Sequence, residues 1–338
     1  MGKRTQDILR RRKMETTLAQ GIDLFILAKE TEGRSPKTTQ WYRTMLGHFA
    51  QHLPQGADTG LIELGIGDAR AFVAHMQSKD TVYDDHPFLE PREGGLAPST
   101  IHGYVRALKA FGSWLQEEGL ATRNPFAKLK RPHLPKPVIK ILSNEEIEAL
   151  IEAINPNTYL GARQYAMVVL LLDTGIRASE LCGLTIVNTF LDDNKILVKG
   201  KGSKERIVPF ANGTKEALAR YLTTWRGEPL DPHEEHLFLT VEGLPLTYDA
   251  LSGCIKKLGA RAGIPRLHPH LFRHTFAVHY LMNGGDVMSL KRMLGHATLD
   301  VTQTYIHLAE QHVQVQHSRF SPVDRLGINV RRARRRKA

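Results

Sequence analysis

Cysteine is nearly absent: Cys182 and Cys254 are the two in 338 residues. Two cysteines cannot build a disulfide scaffold. Both fall in stretches that read as helical, so they are expected to pack as small apolar residues in a reduced, cytoplasmic compartment. Long apolar runs are missing too. None approaches the roughly 20 residues that a membrane span needs, so no membrane partner is expected. The opening MGKRTQDILRRRK has no apolar core, which argues against a secretory signal, and the residues after Met-Gly fit a myristoylation signal poorly. Sixteen histidines invite a metal, but HEEH at 233–236 lacks the spacing of a zinc-peptidase helix and no cysteine pair makes a zinc knuckle. No metal is expected, and no internal repeat is visible.

What the chain has in excess is positive charge. Lys and Arg number 46 against 35 Asp and Glu, a formal net charge of +11. That balance suits a polyanionic partner, most simply nucleic acid. Both ends are basic: Lys3, Arg4, Arg10, Arg11, Arg12 and Lys13 at one, RRARRRKA at the other. Such runs read as solvated ends or as non-specific contacts to phosphates.

The length allows about two domains. Residues 14–125 read as a small helical domain. Apolar Leu18, Ile22, Phe25 and Ile26 make one stripe, Ser35-Pro36 opens a helix to about His52, and Gly67-Asp68 opens one to about Ser78. Pro98-Ser99 opens a fourth, with Ile101, Tyr104, Val105, Leu108, Phe111 and Leu115 on one face and Arg106 and Lys109 on the other. The polar stretch 78–98 reads as a long loop. The segment 124–142 holds four prolines and five Lys or Arg. It reads as an extended linker, placed at 126–142. Ser143-Asn-Glu-Glu is a capping box that opens a second domain, 143–320, followed by an extension with the basic tail, 321–338. Helices are expected there at about 144–155, 161–173, 178–184, 213–226, 248–262, 269–283, 286–295 and 300–316. KILVKGKGSKERIVPF, residues 195–210, alternates around a Gly-Lys-Gly-Ser turn and reads as a β-hairpin. The fold class is therefore mainly α, with a small β-hairpin or sheet in the C-terminal of two domains.

In MLGHATLDVTQTYIHL, His296 and Tyr305 stand nine positions apart. On one helix of 3.6 residues per turn, that is about two and a half turns, so the two would face opposite ways. Gly295 and the capping-box-like Asp-Val-Thr-Gln from Asp300 signal a break between them. Other polar residues stand at similar punctuation. Arg177 lies at the junction in LLLDTGIRASEL, three residues before Glu180. Lys201 sits in the hairpin turn. His270 and Arg273 share a face just inside a proline-started helix. Two arginines can fork onto one phosphate, fixed cations stabilise the charge of phosphoryl transfer, and a histidine or lysine can move a proton. A tyrosine becomes a competent nucleophile where nearby cations favour its phenolate.

With these residues the sequence resembles the tyrosine recombinases, the phage integrase family. TGIRASEL, GKGSKER, HPHLFRHTFA, LGH and TQTYIHL follow in order. Arg177 to Lys201 is 24 residues, Arg273 to His296 is 23, and His296 to Tyr305 is 9. The likeness is strong over about 140–310 and looser over 16–125, where four helices resemble the family's core-binding domain. It does not cover the 78–98 loop or the basic tail. The resemblance implies that Arg177, Arg273 and His296 clamp the scissile phosphate, Lys201 is the general acid for the 5′-hydroxyl, and His270 assists as base and hydrogen-bond donor. Tyr305 would attack to form a 3′-phosphotyrosyl link, with Glu180 as a supporting acid. Rejoining would then need neither ATP nor a metal, and no cofactor is expected. A second exchange would pass through a Holliday junction.

The resemblance further implies a two-domain clamp on double-stranded DNA carrying specific recombination sites. Lys37, Arg43, Arg106 and Lys109 would face the groove. The segment after about 317 would dock on a neighbour in a homotetramer on paired sites, in the cytoplasm at the nucleoid. Integration or excision of a mobile element is the expected role, favoured by the long loop and the basic extension. The alternatives are Xer-type resolution of chromosome dimers, a relaxing topoisomerase or hairpin-forming resolvase, and a DNA-binding regulator that does not cut. No dedicated N-terminal arm-binding domain is expected.

Overall fold

The computed structural model describes residues 16–82, 90, 92–134, 140–200, 204–295 and 305. The chain divides into two compact units, Met1–Pro137 and Val138–Ala338. Both are built mainly of helices, as the sequence patterns imply, and the second carries a small sheet. Among the described residues no helix is long and apolar enough to cross a membrane.

In the first unit, α1 (Leu18–Thr31) begins in a capping box: the Thr17 hydroxyl accepts the Gln20 N–H while the Gln20 side chain accepts the Thr17 N–H. Helix α2 (Pro36–His52) starts with Ser35 as N-cap and proline in its first turn. Helix α3 (Ile66–Ser78) starts slightly earlier than Gly67-Asp68 implies, because the Asp68 carboxylate reaches back to the Gly65 N–H at 2.8 Å. Helix α4 (Pro98–Glu117) buries the apolar stripe read from its sequence. Phe25, Phe49, Phe72 and Phe111 are fully buried and meet edge to face, the arrangement their ring quadrupoles favour.

Two expectations need correction in this unit. The 78–98 stretch is not loop throughout: β1 (Thr81–Val82) pairs antiparallel with β2 (Arg92–Glu93). The linker also starts later than residue 126. Phe126 and Leu129 are buried in the first core, and the Asn124 side-chain Oδ1 accepts the Phe126 N–H at 2.8 Å. Burying two large apolar side chains outweighs the proline content of the surrounding sequence.

In the second unit, α5 (Asn144–Glu152) carries the expected capping box on Ser143. Helix α6 (Tyr159–Thr174) runs through the core and packs against α8 (Asn212–Arg220) and α10 (Pro269–Met282). The short α7 (Ala178–Cys182) packs on α9 (Tyr248–Arg261), and α11 (Val287–Leu294) packs on α10. The helix expected at 213–226 is α only to Arg220 and continues as a π-helical turn, Tyr221–Trp225. The hairpin forms as read, β4 (Lys195–Lys199) against β5 (Glu205–Pro209), with Ile196 opposite Val208. A third strand, β3 (Thr189–Phe190), joins β4. The helix expected at 300–316 lies outside the described residues apart from Tyr305. Burial pushes the Cys182 thiol up to about 11, so it stays protonated at neutral pH.

Arg266 ties the loop before α10 to the start of α5, donating to both Glu146 carboxylate oxygens and to the Ile141 carbonyl. The guanidinium holds the Glu146 carboxyl at about 2, against an ordinary 4.5. A carboxyl lowered in the folded state stabilises fully above its unfolded value. That contribution is lost as pH falls from about 4.5 towards 2. Glu146→Gln should therefore flatten the acid limb of stability in this window, by no more than about 1 kcal/mol for a partly exposed pair. Denaturant midpoints measured from pH 2 to 7 check this.

Candidate active site

The site is assembled where α6 ends, α7 begins and α11 ends. Helix α6 closes on Gly175 and α11 on Gly295, both left-handed, with φ of 60° and 64°. A side chain at Gly175 would be strained and would strike the Phe276 ring at 2.4 Å. These tight stops leave carbonyls free at the negative end of each helix, where cations are favoured.

Three arginines take those of α11, one carbonyl each. Arg206 Nε donates to Met293 O at 2.6 Å, Arg273 donates to Leu294 O at 2.7 Å, and Arg177 reaches Gly295 O at 3.5 Å. Arg273 also donates to Gly175 O at 2.8 Å, so one guanidinium bridges both helix ends. It is 4% exposed, and burial, then the neighbouring Arg177, pushes it down to about 10. It remains charged at neutral pH.

Glu180 organises the rest. Each of its carboxylate oxygens accepts two hydrogen bonds, all at 2.8 Å: Oε1 from Arg177 and Arg206, Oε2 from the Arg177 backbone N–H and Arg206. Burial works to raise this carboxyl, but Arg206 and Arg177 together outweigh it and hold it below the usual carboxylate range. Arg177 pairs with Glu180, three residues on, at 2.8 Å. This fixes Arg177 without using up the guanidinium, which stays about one-third exposed.

Helix α10 presents His270, Arg273 and His274 from one face, at i, i+3 and i+4. His270 is exposed, and partial loss of hydration, then the charges of Arg273, His268 and Arg177, push its imidazole below the ordinary value. Tyr305 is 3% exposed, its ring held among Ala277, Val278, Leu281, Leu290 and Leu294. Its hydroxyl lies 2.8 Å from His274 Nδ1. Arg273 and Arg177 favour the phenolate, as the sequence suggests, but burial outweighs them and raises the phenol above its ordinary value. The cations alone therefore do not ionise Tyr305 here.

Four of the six candidate residues, Arg177, His270, Arg273 and Tyr305, are thus electrostatically coupled. Lys201 and His296 lie outside the described residues. Lys201 follows Gly200, whose N–H donates to Lys204 O and closes the base of the turn, and His296 follows Gly295. Arg206 and His274 carry no role in the sequence reading, although both fall inside its motifs. The signals were there: Arg206 shares the inward strand face with buried Val208, and His274 is one helical turn from His270.

The candidate DNA-facing residues differ among themselves. Arg106 is exposed and stacks over Trp41 at 4.4 Å. Arg43 pairs with Asp23 at 2.6 Å on the surface, and Lys37 is exposed. The Lys109 ammonium donates to Ala127 O and Leu129 O at 2.8 and 3.2 Å and so ties down the segment after α4.

The Phage integrase family profile matches residues 140–312. Tyrosine recombinase XerC of Bacillus pumilus is 37% identical over 308 residues, covering 89% of this chain and 96% of the relative. XerC of Oceanobacillus iheyensis is 32% identical over 306 residues, covering 89% and 95%. Among solved structures, the Tn1549 transposon integrase in complex with transposon right end DNA has a TM-score of 0.68 at 21% identity, covering 90% of this chain and 99% of that one. The post-cleavage complex of XerH recombinase with palindromic difH substrate has a TM-score of 0.66 at 22% identity, covering 86% and 82%. The chain belongs to the phage integrase family, the tyrosine recombinases, and is a site-specific DNA recombinase.

Proposed function

We propose that the chain cuts and rejoins duplex DNA at specific sites through a 3′-phosphotyrosyl intermediate on Tyr305, as a homotetramer on paired sites that passes through a Holliday junction. The observation that carries this reading is the convergence of Tyr305 with Arg177 and Arg273, two guanidiniums positioned by Glu180 and the end of α11. In it the arginines, with His296, neutralise the non-bridging oxygens where charge accumulates during transfer. His270 donates a hydrogen bond to the phosphate, and Lys201 protonates the departing 5′ oxygen. Arg106, Lys37 and Arg43 supply DNA contacts, and binding falls with salt accordingly. The first unit serves as a core-binding domain and the second as a catalytic domain, joined by a linker. The protein works in the cytoplasm at the nucleoid.

Two roles compete. XerC relatives matching over 89% of the chain support Xer-type resolution of chromosome dimers. The long stretch between α3 and α4 and the basic tail favour integration or excision of a mobile element, and the transposon integrase likeness adds only the fold. The Xer-type reading is the better supported. A nicked DNA carrying a candidate site tests the chemistry: a covalent protein–DNA band on a denaturing gel is expected. Specific binding without that band would leave a non-cutting regulator, and supercoil relaxation without exchange would point to a topoisomerase. Lys201→Ala should slow adduct formation by about 10²- to 10⁴-fold with DNA affinity unchanged. Equal loss of both would make Lys201 a phosphate contact.

A further inference from the structure

The buried phenol needs a proton acceptor, and the structure holds one in contact with it. His274 Nδ1 stands 2.8 Å from the Tyr305 hydroxyl, and the two rings lie 5.6 Å apart, tilted by 49°. His274 comes from the middle of α10, one turn beyond His270 and next to Arg273, so its backbone is fixed by the helix that also fixes the phosphate-clamping arginine. We propose that His274 is a further catalytic residue, the general base that takes the Tyr305 proton as the phenolic oxygen attacks phosphorus. This rests on the reading of Tyr305 as nucleophile.

The step balances. The Tyr305 O–H bond breaks and an N–H bond forms at Nδ1, with the other ring nitrogen carrying the resting proton. The phenolic oxygen bonds to phosphorus, the bond to the 5′ oxygen breaks, and that oxygen takes its proton from the general acid. Religation runs the same transfers backwards, so His274 then returns the proton to Tyr305. The groups that face His274 keep it neutral and able to accept. Burial first, then the charges of His270, His268 and Arg273, disfavour its protonated form. His270 is exposed and is left free for the phosphate.

The test is single-turnover adduct formation on nicked site DNA, comparing the parent with His274→Ala, His274→Asn and Tyr305→Phe. Asn places a hydrogen-bonding atom near the position of Nδ1 but takes no proton, which separates proton transfer from mere positioning. Both His274 variants should form adduct about 10²- to 10⁴-fold more slowly at unchanged DNA affinity. Added imidazole should speed His274→Ala. An Asn variant within about threefold of the parent overturns the proposal, because a hydrogen bond then suffices. So does an Ala variant that imidazole does not speed while the Asn protein melts like the parent. If Tyr305→Phe still forms adduct, the nucleophile reading fails instead, and the Phe lane shows it independently of the His274 variants.

Discussion

Tyr305→Phe should abolish the covalent protein–DNA adduct while leaving binding within about threefold of the parent. The change removes one oxygen from a ring otherwise held by apolar contacts with Ala277, Val278, Leu281, Leu290 and Leu294. Phe fills the same volume, so no cavity forms, and losing the hydroxyl's hydrogen bonding with His274 and Arg273 costs about 1–2 kcal/mol. The protein should therefore fold, bind and melt nearly as before. Cleavage has no such reserve. On the proposed mechanism the arginines stabilise a pentacoordinate phosphorus only if the Tyr305 oxygen arrives to form it, so the rate should fall by at least about 10⁴-fold. Adduct yield on nicked DNA, read beside affinity at fixed salt, measures both. A persistent adduct would sink the assignment of the nucleophile.

Much of this site could be read from the chain because its parts are local. Arg177 and Glu180 meet across one helical turn, His270 and Arg273 share a face, and alternation around a glycine turn defines the hairpin. Cap residues or a first-turn proline marked the starts of α2, α4, α5 and α10 for the same reason. What stayed hidden depends on contacts between distant segments. Arg206 looks like one more hairpin cation until β5 lies against α11, where it meets Met293 O, 87 residues away. The burial that raises the Tyr305 phenol is a property of α10 and α11 packed together, and no spacing reports it. Lys109 reads as a surface cation because nothing in the sequence shows that Ala127 and Leu129 fold back within its reach. Phe126 and Leu129 stand isolated among prolines and lysines, without the periodicity that betrays a core position.

Glu180→Ala should be the most destabilising single change at the site. The carboxylate is 5% exposed and accepts four charge-assisted or backbone hydrogen bonds. Removing it leaves the Arg177 and Arg206 guanidiniums side by side with no counter-charge and strips the first turn of α7 of its cap. The expected cost is about 3–5 kcal/mol. That lowers the melting temperature of the second unit on the order of 10 °C. Arg206→Ala should cost less, since Glu180 keeps Arg177 as a partner. Combining the two removes the repulsion as well as the attraction, so the double variant should be more stable than the summed single losses by at least about 1 kcal/mol. Activity should follow a different order. Glu180→Ala frees Arg177 from its fixed position, whereas Arg206→Ala leaves that pair in place but releases β5, the strand after the turn that bears Lys201, from the end of α11 that leads to His296. At temperatures where both remain folded, Arg206→Ala should therefore cleave more slowly than its stability loss implies, by about 10²-fold. Strict additivity in melting, or cleavage by Arg206→Ala at the parent rate, would mean that the arginine and carboxylate act separately and that the network does not position the site.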